Sequence, residues 1–407
     1  MVETDPFEAF NRRQGMGKVR DPYPRLAEMR RRGPVQRMSI QDMLGPDMSV
    51  SNLIKMDVYA ALSHDAVAEV LRDGDRFSSK GYSMSMGPVM GRTILEMDEP
   101  EHGRYRRLLQ HAFSRKALDR WQHELVNPVV NRLIDRFVDR GSAELIRELT
   151  FPFPVSVIAG MIGVPEEDLA DFHRWAIELI SVGFNPMGGL DASRKLGALF
   201  QRVLEERRRE PRDDLMSVLA FSTVEGTHLN DEEIVSFCRL LAPAGAETTY
   251  RSSSNLLFGL LSHPDQLDAV RRDPALIPQA IEEGLRWEAP LTNILRLSTR
   301  DTQVCGVPIP AGAFVSVNLG AANRDETRYE RPDAFDVFRP PKTHMAFAFG
   351  AHRCLGMHLA TMETSVVLRS LFERLPGLRL DPDAEDVHIT GMIFRTPLAL
   401  PVRFDPA

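Results

Sequence analysis

The chain has 407 residues, with 50 lysines and arginines against 57 aspartates and glutamates and a formal net charge of −7. That balance excludes a protein drawn to nucleic acid by its overall charge, while the length allows a large core. Three widely spaced cysteines, Cys238, Cys305 and Cys354, make no disulfide framework and suit a reducing cytosol, and they read as small hydrophobes unless a motif says otherwise.

The first residues, Met1 to Pro6, are acidic and lack an apolar signal region, so the cytoplasm is the expected location. A short helix is predicted over Tyr23 to Arg32, within a mixture of strand-like and turn segments from about 20 to 80. Helical patterns dominate from about 98 to 290. The most apolar stretch, Phe151 to Val164, is short and carries Pro152 and Pro154, so it cannot span a bilayer. From 291 to 345 prolines and glycines punctuate short apolar runs such as Ala313-Phe314-Val315-Ser316-Val317, which read as strands and loops. Strand-like alternation returns in the last forty residues, and no repeat or linker marks a domain boundary.

Four stretches along this path can carry chemistry. His102 and Arg106, four apart, fall on one side of a helix. Asn230 with Glu233 starts a long helix that runs to Leu240-Leu241-Ala242-Pro243-Ala244-Gly245-Ala246-Glu247-Thr248-Thr249. Pro243 removes a backbone hydrogen bond and kinks that helix. Small residues followed by an acid and two alcohols suit a place where a diatomic molecule fits and receives protons, although a kinked core helix would look the same. Glu283 and Arg286 stack at i and i+3, a pair that by default is a solvated surface contact. Cys354 lies in a tight loop between Gly350 and Gly356, just before the helical Met357 to Glu363. Backbone amides and a helix N-terminus favour a thiolate there, and a lone thiolate is a proximal ligand for haem iron.

The loop resembles the haem-binding segment of the cytochrome P-450 family, FGxGxHxCLG, matching at Phe347, Gly350, His352, Cys354, Leu355 and Gly356. It departs at Ala348, where the family has glycine, which tightens the turn. The long helix matches the family's [AG]GxxT[TS] pattern at Ala244, Gly245, Glu247, Thr248 and Thr249, and Glu283 and Arg286 match ExxR with Arg339 as the third partner. The resemblance implies a mainly α fold, a large helical body (about 66–290 and 355–375) with a small β-rich lobe (about 34–65 and 291–345 plus C-terminal strands), as one domain over 1–407 around a buried haem. It implies Cys354 as the iron ligand, with Phe347 packed near the sulfur. His102, Arg106, Arg296 and His352 would clamp the propionates of haem b. Ala244, Gly350 and Gly356 would border the macrocycle. Thr248 would hydrogen-bond the dioxygen co-substrate, Glu247 would join a proton relay, and Glu283, Arg286 and Arg339 would brace the proximal face.

The implied activity is monooxygenation, inserting one oxygen atom of dioxygen into a C–H bond of a hydrophobic small molecule such as a terpenoid, steroid or fatty acid. Family topology places Met86, Met90, Val182, Phe184, Leu240, Ala244, Asn293, Ile294, Met392 and Phe394 on the pocket wall, and methionines adapt to irregular ligands. No charged residue stands out as an anchor for a carboxylate. Basic residues Arg104, Arg106, Arg107, Arg115 and Lys116 would steer an acidic ferredoxin-type donor to the proximal side. A monomer is expected, with no nucleic-acid or membrane partner. A peroxygenase is the competing enzyme class, but its members lack the acid–alcohol pair. A haem-based sensor or carrier is the competing binding class, but no residues remain for an output module.

Overall fold

The computed structural model describes residues 11, 17–39, 42–43, 57–180, 185–223 and 226–405, so two of the expected pocket residues, Val182 and Phe184, lie outside the described residues. Helix α1 (Tyr23–Arg32) spans the stretch predicted for it and buries Tyr23, Leu26 and Met29. Strands β1 (Val35–Ser39) and β2 (Asp57–Ala61) pair antiparallel. Helix α2 (His64–Arg72) follows, its first turn capped by the Ser63 hydroxyl accepting from the Ala66 amide. After the short strand β3 (Phe77–Ser78), the sheet is completed from much later in the chain by β4 (Asn293–Ser298) and β5 (Phe314–Asn318), in the order β1-β2-β5-β4-β3. The pairing of β2 with β5 is parallel and sets Tyr59 opposite Val315. Strand structure stops at Asn318, short of the expected limit near 345, because the Asn318 side chain accepts from the Ala321 amide and starts a helical turn over Leu319–Asn323.

The helical body contains α3 (Glu101–Ala112), α4 (Pro152–Ile162), α5 (Pro186–Arg209), α6 (Asp231–Leu261), α7 (Ile277–Trp287) and α8 (Met357–Arg374). Helix α6 lies at its centre and touches α4, α5, α7 and α8. Its start is the reciprocal box expected from the sequence: Asn230 Oδ1 accepts from the Glu233 amide at 3.0 Å, and Glu233 Oε2 accepts from the Asn230 amide at 2.8 Å. Pro243 sits inside α6 without ending it. Beside it, Gly245 gives room for Ile158 of α4, whose side chain would meet any Cβ added there.

Two buried ionic networks fasten the lobes. Glu283 of α7 receives Arg286 Nε at 2.7 Å and Nη2 at 2.8 Å, the Asp336 amide at 2.9 Å and Arg339 Nε at 3.3 Å. Arg286 spends its remaining donors on the carbonyls of Asn323, Pro332 and Ala334. The ExxR pair is therefore buried and fully satisfied, unlike a solvated surface pair. The second network was not legible in the sequence: Glu288 accepts from the Tyr23 hydroxyl and from Arg395 Nε, with Arg324 Nη2 at 3.5 Å. Removing one partner of such a network leaves a buried charge uncompensated, at a cost of roughly 3–5 kcal/mol. Glu283→Ala is accordingly expected to yield protein that melts at lower temperature and purifies with little bound cofactor. A variant with wild-type melting and loading would show that the network braces nothing.

Candidate functional site

The chain from 345 to 356 is shaped by two residues at positive φ. Gly350, at φ +74°, packs so closely on α2 that an added Cβ would collide with the Leu71 carbonyl, so only glycine fits. Ala348 adopts φ +56°, a left-handed conformation costing an L-residue roughly 1–2 kcal/mol. The sequence departure from glycine at this position is thus a strained one. The Cys354 amide donates to the Phe347 carbonyl at 2.9 Å and closes the loop, and Arg72 of α2 lies 5.1 Å over the Phe349 ring.

Cys354 has accessible surface, yet protein surrounds it deeply enough that burial pushes its thiol pKa up. The Gly356 amide and the charges of Arg106 and Arg353 oppose that shift and do not overcome it. A cation replacing the thiol proton would offset that cost.

Cations gather next to the loop. His102 of α3 is buried, with Nδ1 at 2.9 Å from Glu99 Oε1 and Nε2 without a partner, and its ring lies 4.0 Å from that of His352. His352 is pushed down to about 3, first by burial and then by the charges of His102, Arg296 and Arg106, while a bond to the Met97 backbone opposes them. Its Nε2 lies 3.2 Å from the Ser79 hydroxyl. Burial lowers the pKa of Arg106, with Cys354 opposing, and of Arg296, with Tyr82 and Asp98 opposing. Among the described residues neither guanidinium forms an ion pair with a carboxylate. Desolvated cations in such a group are expensive unless anions join them.

The distal part of the site lies on α6. Ala244 is exposed although it sits midway along the most central helix. Thr248 donates to the Ala244 carbonyl at 2.9 Å. Glu247 is buried and bound by Arg251 of the next turn, whose Nε donates to Glu247 Oε1 at 2.7 Å. Arg251 was not singled out from the sequence, although its i+4 spacing from Glu247 was visible. Glu363 of α8 was also missed: burial pushes its carboxyl well above the usual range, a bond to Thr249 opposes this, and Oε1 has no partner.

The expected pocket residues scatter. Leu240 and Met86 are half-buried. Met90 is packed in the main core, and Met392 joins Tyr23, Leu26 and Leu62 in a separate cluster, so these two side chains are already taken up by packing. Asn293 Nδ2 donates to the Ser316 hydroxyl at 2.6 Å within the sheet, and Ile294 packs against the sheet cluster with Val315 and Val317. Phe394 lies under Arg251, 5.3 Å from its guanidinium carbon. Cys238 is buried as expected, but Cys305 is exposed at the β-turn Val304–Val307, where it adopts φ +47°.

A family model described as cytochrome P450 matches residues 191–387. Cytochrome P450 107B1 of Saccharopolyspora erythraea is 35% identical over 396 residues, 95% of either chain. A steroid C26-monooxygenase of Mycobacterium tuberculosis is 35% identical over 355 residues, 86% of this chain and 95% of that one. The crystal structure of CYP109E1 from Bacillus megaterium in complex with testosterone superposes with a TM-score of 0.83 at 31% identity, covering 95% of this chain and 99% of that one. The chain belongs to the cytochrome P450 family. It is an oxidoreductase, a haem monooxygenase that uses dioxygen.

The residues of this P450 fit a haem on their own chemistry. Among the described residues no three His, Cys, Asp or Glu side chains gather into a metal site; a macrocycle would leave iron needing one protein ligand on that side, which the Cys354 sulfur could supply. The macrocycle's two carboxylates would supply anions for Arg106 and Arg296 and an acceptor for His102 Nε2, which has no partner. No helix among the described residues is long and apolar enough to cross a membrane.

Two outcomes are expected. Ala348→Gly releases roughly 1–2 kcal/mol of strain and gives back roughly 0.5–1 kcal/mol of chain entropy, so the protein should gain about 0.5–1 kcal/mol in chemical denaturation. Arg106→Leu removes a charged donor worth about 1.5–3 kcal/mol, so haem should pass to apomyoglobin at least roughly tenfold faster than from the parent enzyme. An unchanged transfer rate would assign Arg106 elsewhere.

Proposed function

We propose that this P450 carries haem b on Cys354 and hydroxylates a bulky hydrophobic molecule, a steroid, terpenoid or fatty acid, with electrons from a separate ferredoxin-type donor. The observation that carries this reading is the Cys354 sulfur, surrounded by protein and acted on by the charge of Arg106, beside the desolvated Arg106 and Arg296, which form no ion pair with a carboxylate among the described residues. When bound, thiolate-ligated haem supplies the oxygen activation, the sulfur pushing electron density toward O–O cleavage. His102, Arg106, Arg296 and His352 hold the propionates. Gly356, with open space where a Cβ would stand, would leave room for the macrocycle; Gly350 would border it while packing on α2, and Ala244 would border it from the distal side. Thr248 and Glu247 deliver protons there, the hydroxyl able to turn from the Ala244 carbonyl toward the oxygen. Glu283, Arg286 and Arg339 brace the loop from behind.

The substrate class draws support from relatives named for steroid chemistry and for a testosterone complex, and from half-buried Met86 and Leu240. For the donor, Arg104, Arg107, Arg115 and Lys116 form an exposed basic face. Arg106 is half-buried instead and turned toward the site, since partial burial desolvates it and its charge acts on Cys354. We infer a cytoplasmic monomer that meets its donor through this face.

The test is the absorption spectrum of the reduced, carbon monoxide-bound protein beside that of Cys354→Ala. The far-red-shifted Soret band of thiolate-ligated haem should appear and vanish with the substitution; a band indifferent to it would make Cys354 structural. For the donor, turnover through ferredoxin should fall steeply as salt shortens the Debye length from roughly 10 Å at 0.1 M to roughly 3 Å at 1 M. Peroxide-supported turnover should fall far less, and equal sensitivity would count against docking on the basic face.

A further inference from the structure

The acid of the distal helix is not a free carboxylate waiting for a proton. Arg251 donates through both Nε, at 2.7 Å, and Nη2 to the same oxygen, Glu247 Oε1. Oε2 accepts no hydrogen bond among the described residues. Arg251 is itself immobilised: its relative exposure is 0%, its guanidinium carbon lies 4.8 Å over Tyr250 and 5.3 Å over Phe394, and Nη2 donates to Asn11 Oδ1 at 2.9 Å. A guanidinium is a planar fork whose direction is fixed once it is packed between rings. An oxygen bound to two of its nitrogens is fixed as well, and so is the direction of the other oxygen.

We propose that Arg251 is a positioning residue for proton supply: it holds Glu247 by one oxygen and so aims the other as the oxygen that exchanges protons. This rests on the proton role proposed for Glu247 above. Burial raises the Glu247 carboxyl pKa and Arg251 opposes the rise, which agrees with a carboxylate able to change protonation state without leaving its clamp. The chemistry makes aim consequential. In the productive reaction two electrons and two protons return one oxygen atom as water while the other enters the substrate C–H bond. A proton misdirected before the O–O bond breaks lets dioxygen leave as hydrogen peroxide with the same two electrons and two protons. A relay through water tolerates little displacement of its donor atom.

The experiment is a double-mutant cycle on the haem-loaded enzyme, with Arg251→Gln, Glu247→Gln and the double variant, each normalised to its reduced–CO spectrum. Hydrogen peroxide released per NADPH consumed is measured with a reductase and ferredoxin, together with the solvent deuterium effect on product formation. Arg251→Gln should raise peroxide several-fold and enlarge the isotope effect in the parent, and should change neither once Glu247 is glutamine. Arg251→Lys, which keeps the charge and loses the fork, should leak at an intermediate level, and it takes the place of Arg251→Gln in the cycle should that variant not load haem. If Glu247→Gln leaks but the Arg251 change adds the same increment in both backgrounds, Arg251 is only structural and the proposal is overturned. If Glu247→Gln leaves coupling at the parent level, the proton role of Glu247 falls, and this proposal with it.

Discussion

Charge taken out of water organises this molecule. Glu283 draws onto one carboxylate two arginines and a backbone amide from separate parts of the chain, and Arg286 passes the constraint to three carbonyls between 323 and 334. The irregular stretch after β5 has little regular hydrogen bonding of its own, so its path is set largely by these donors. That path delivers the chain to Met345, whose amide donates to Asn323 Oδ1 at 2.6 Å, and thereby to the Cys354 loop. The position of the sulfur follows from a carboxylate remote from it in sequence.

The same accounting explains the site. Interiors tolerate charge when it is paired, and the two networks anchored on Glu283 and Glu288 are paired throughout. Arg106 and Arg296 stand out because burial desolvates them and neither forms an ion pair with a carboxylate among the described residues, and buried His102 keeps Nε2 without a partner. A cofactor bearing two carboxylates would resolve the imbalance, which would make cofactor binding part of the folded state's electrostatics. The strained Ala348 and the close approach of Gly350 to Leu71 belong to the same arrangement, since they bend the loop tightly against α2.

Local spacing made much of this legible before any coordinates. The capping box at Asn230 and Glu233, the i,i+3 pair of Glu283 and Arg286, and the Phe347–Gly356 run are each written within a few residues, and each forms as the helical or loop geometry requires. Helix α1 was legible for the same reason. What stayed hidden depends on pairing across the fold. Glu288 meets Tyr23 and Arg395, which lie 265 and 107 residues away. Met392 was expected on a pocket wall from family topology, but its neighbours in α1 and the sheet decide where it packs. Arg251 lay in plain sight at helical spacing, yet only its burial between two rings distinguishes it from a surface arginine.

The Glu288 network joins segments far apart in the polypeptide. Tyr23 comes from the first helix described and Arg395 from the segment that follows α8, with Arg395 also donating to the Arg20 carbonyl at 3.1 Å. During synthesis the N-terminal segments emerge first and fold as they can. Here the carboxylate at 288 lacks one of its cations until the segment around 395 has left the ribosome. Until then the chain carries a half-neutralised acid where the folded protein has a seam, a mark by which quality control could tell the two apart.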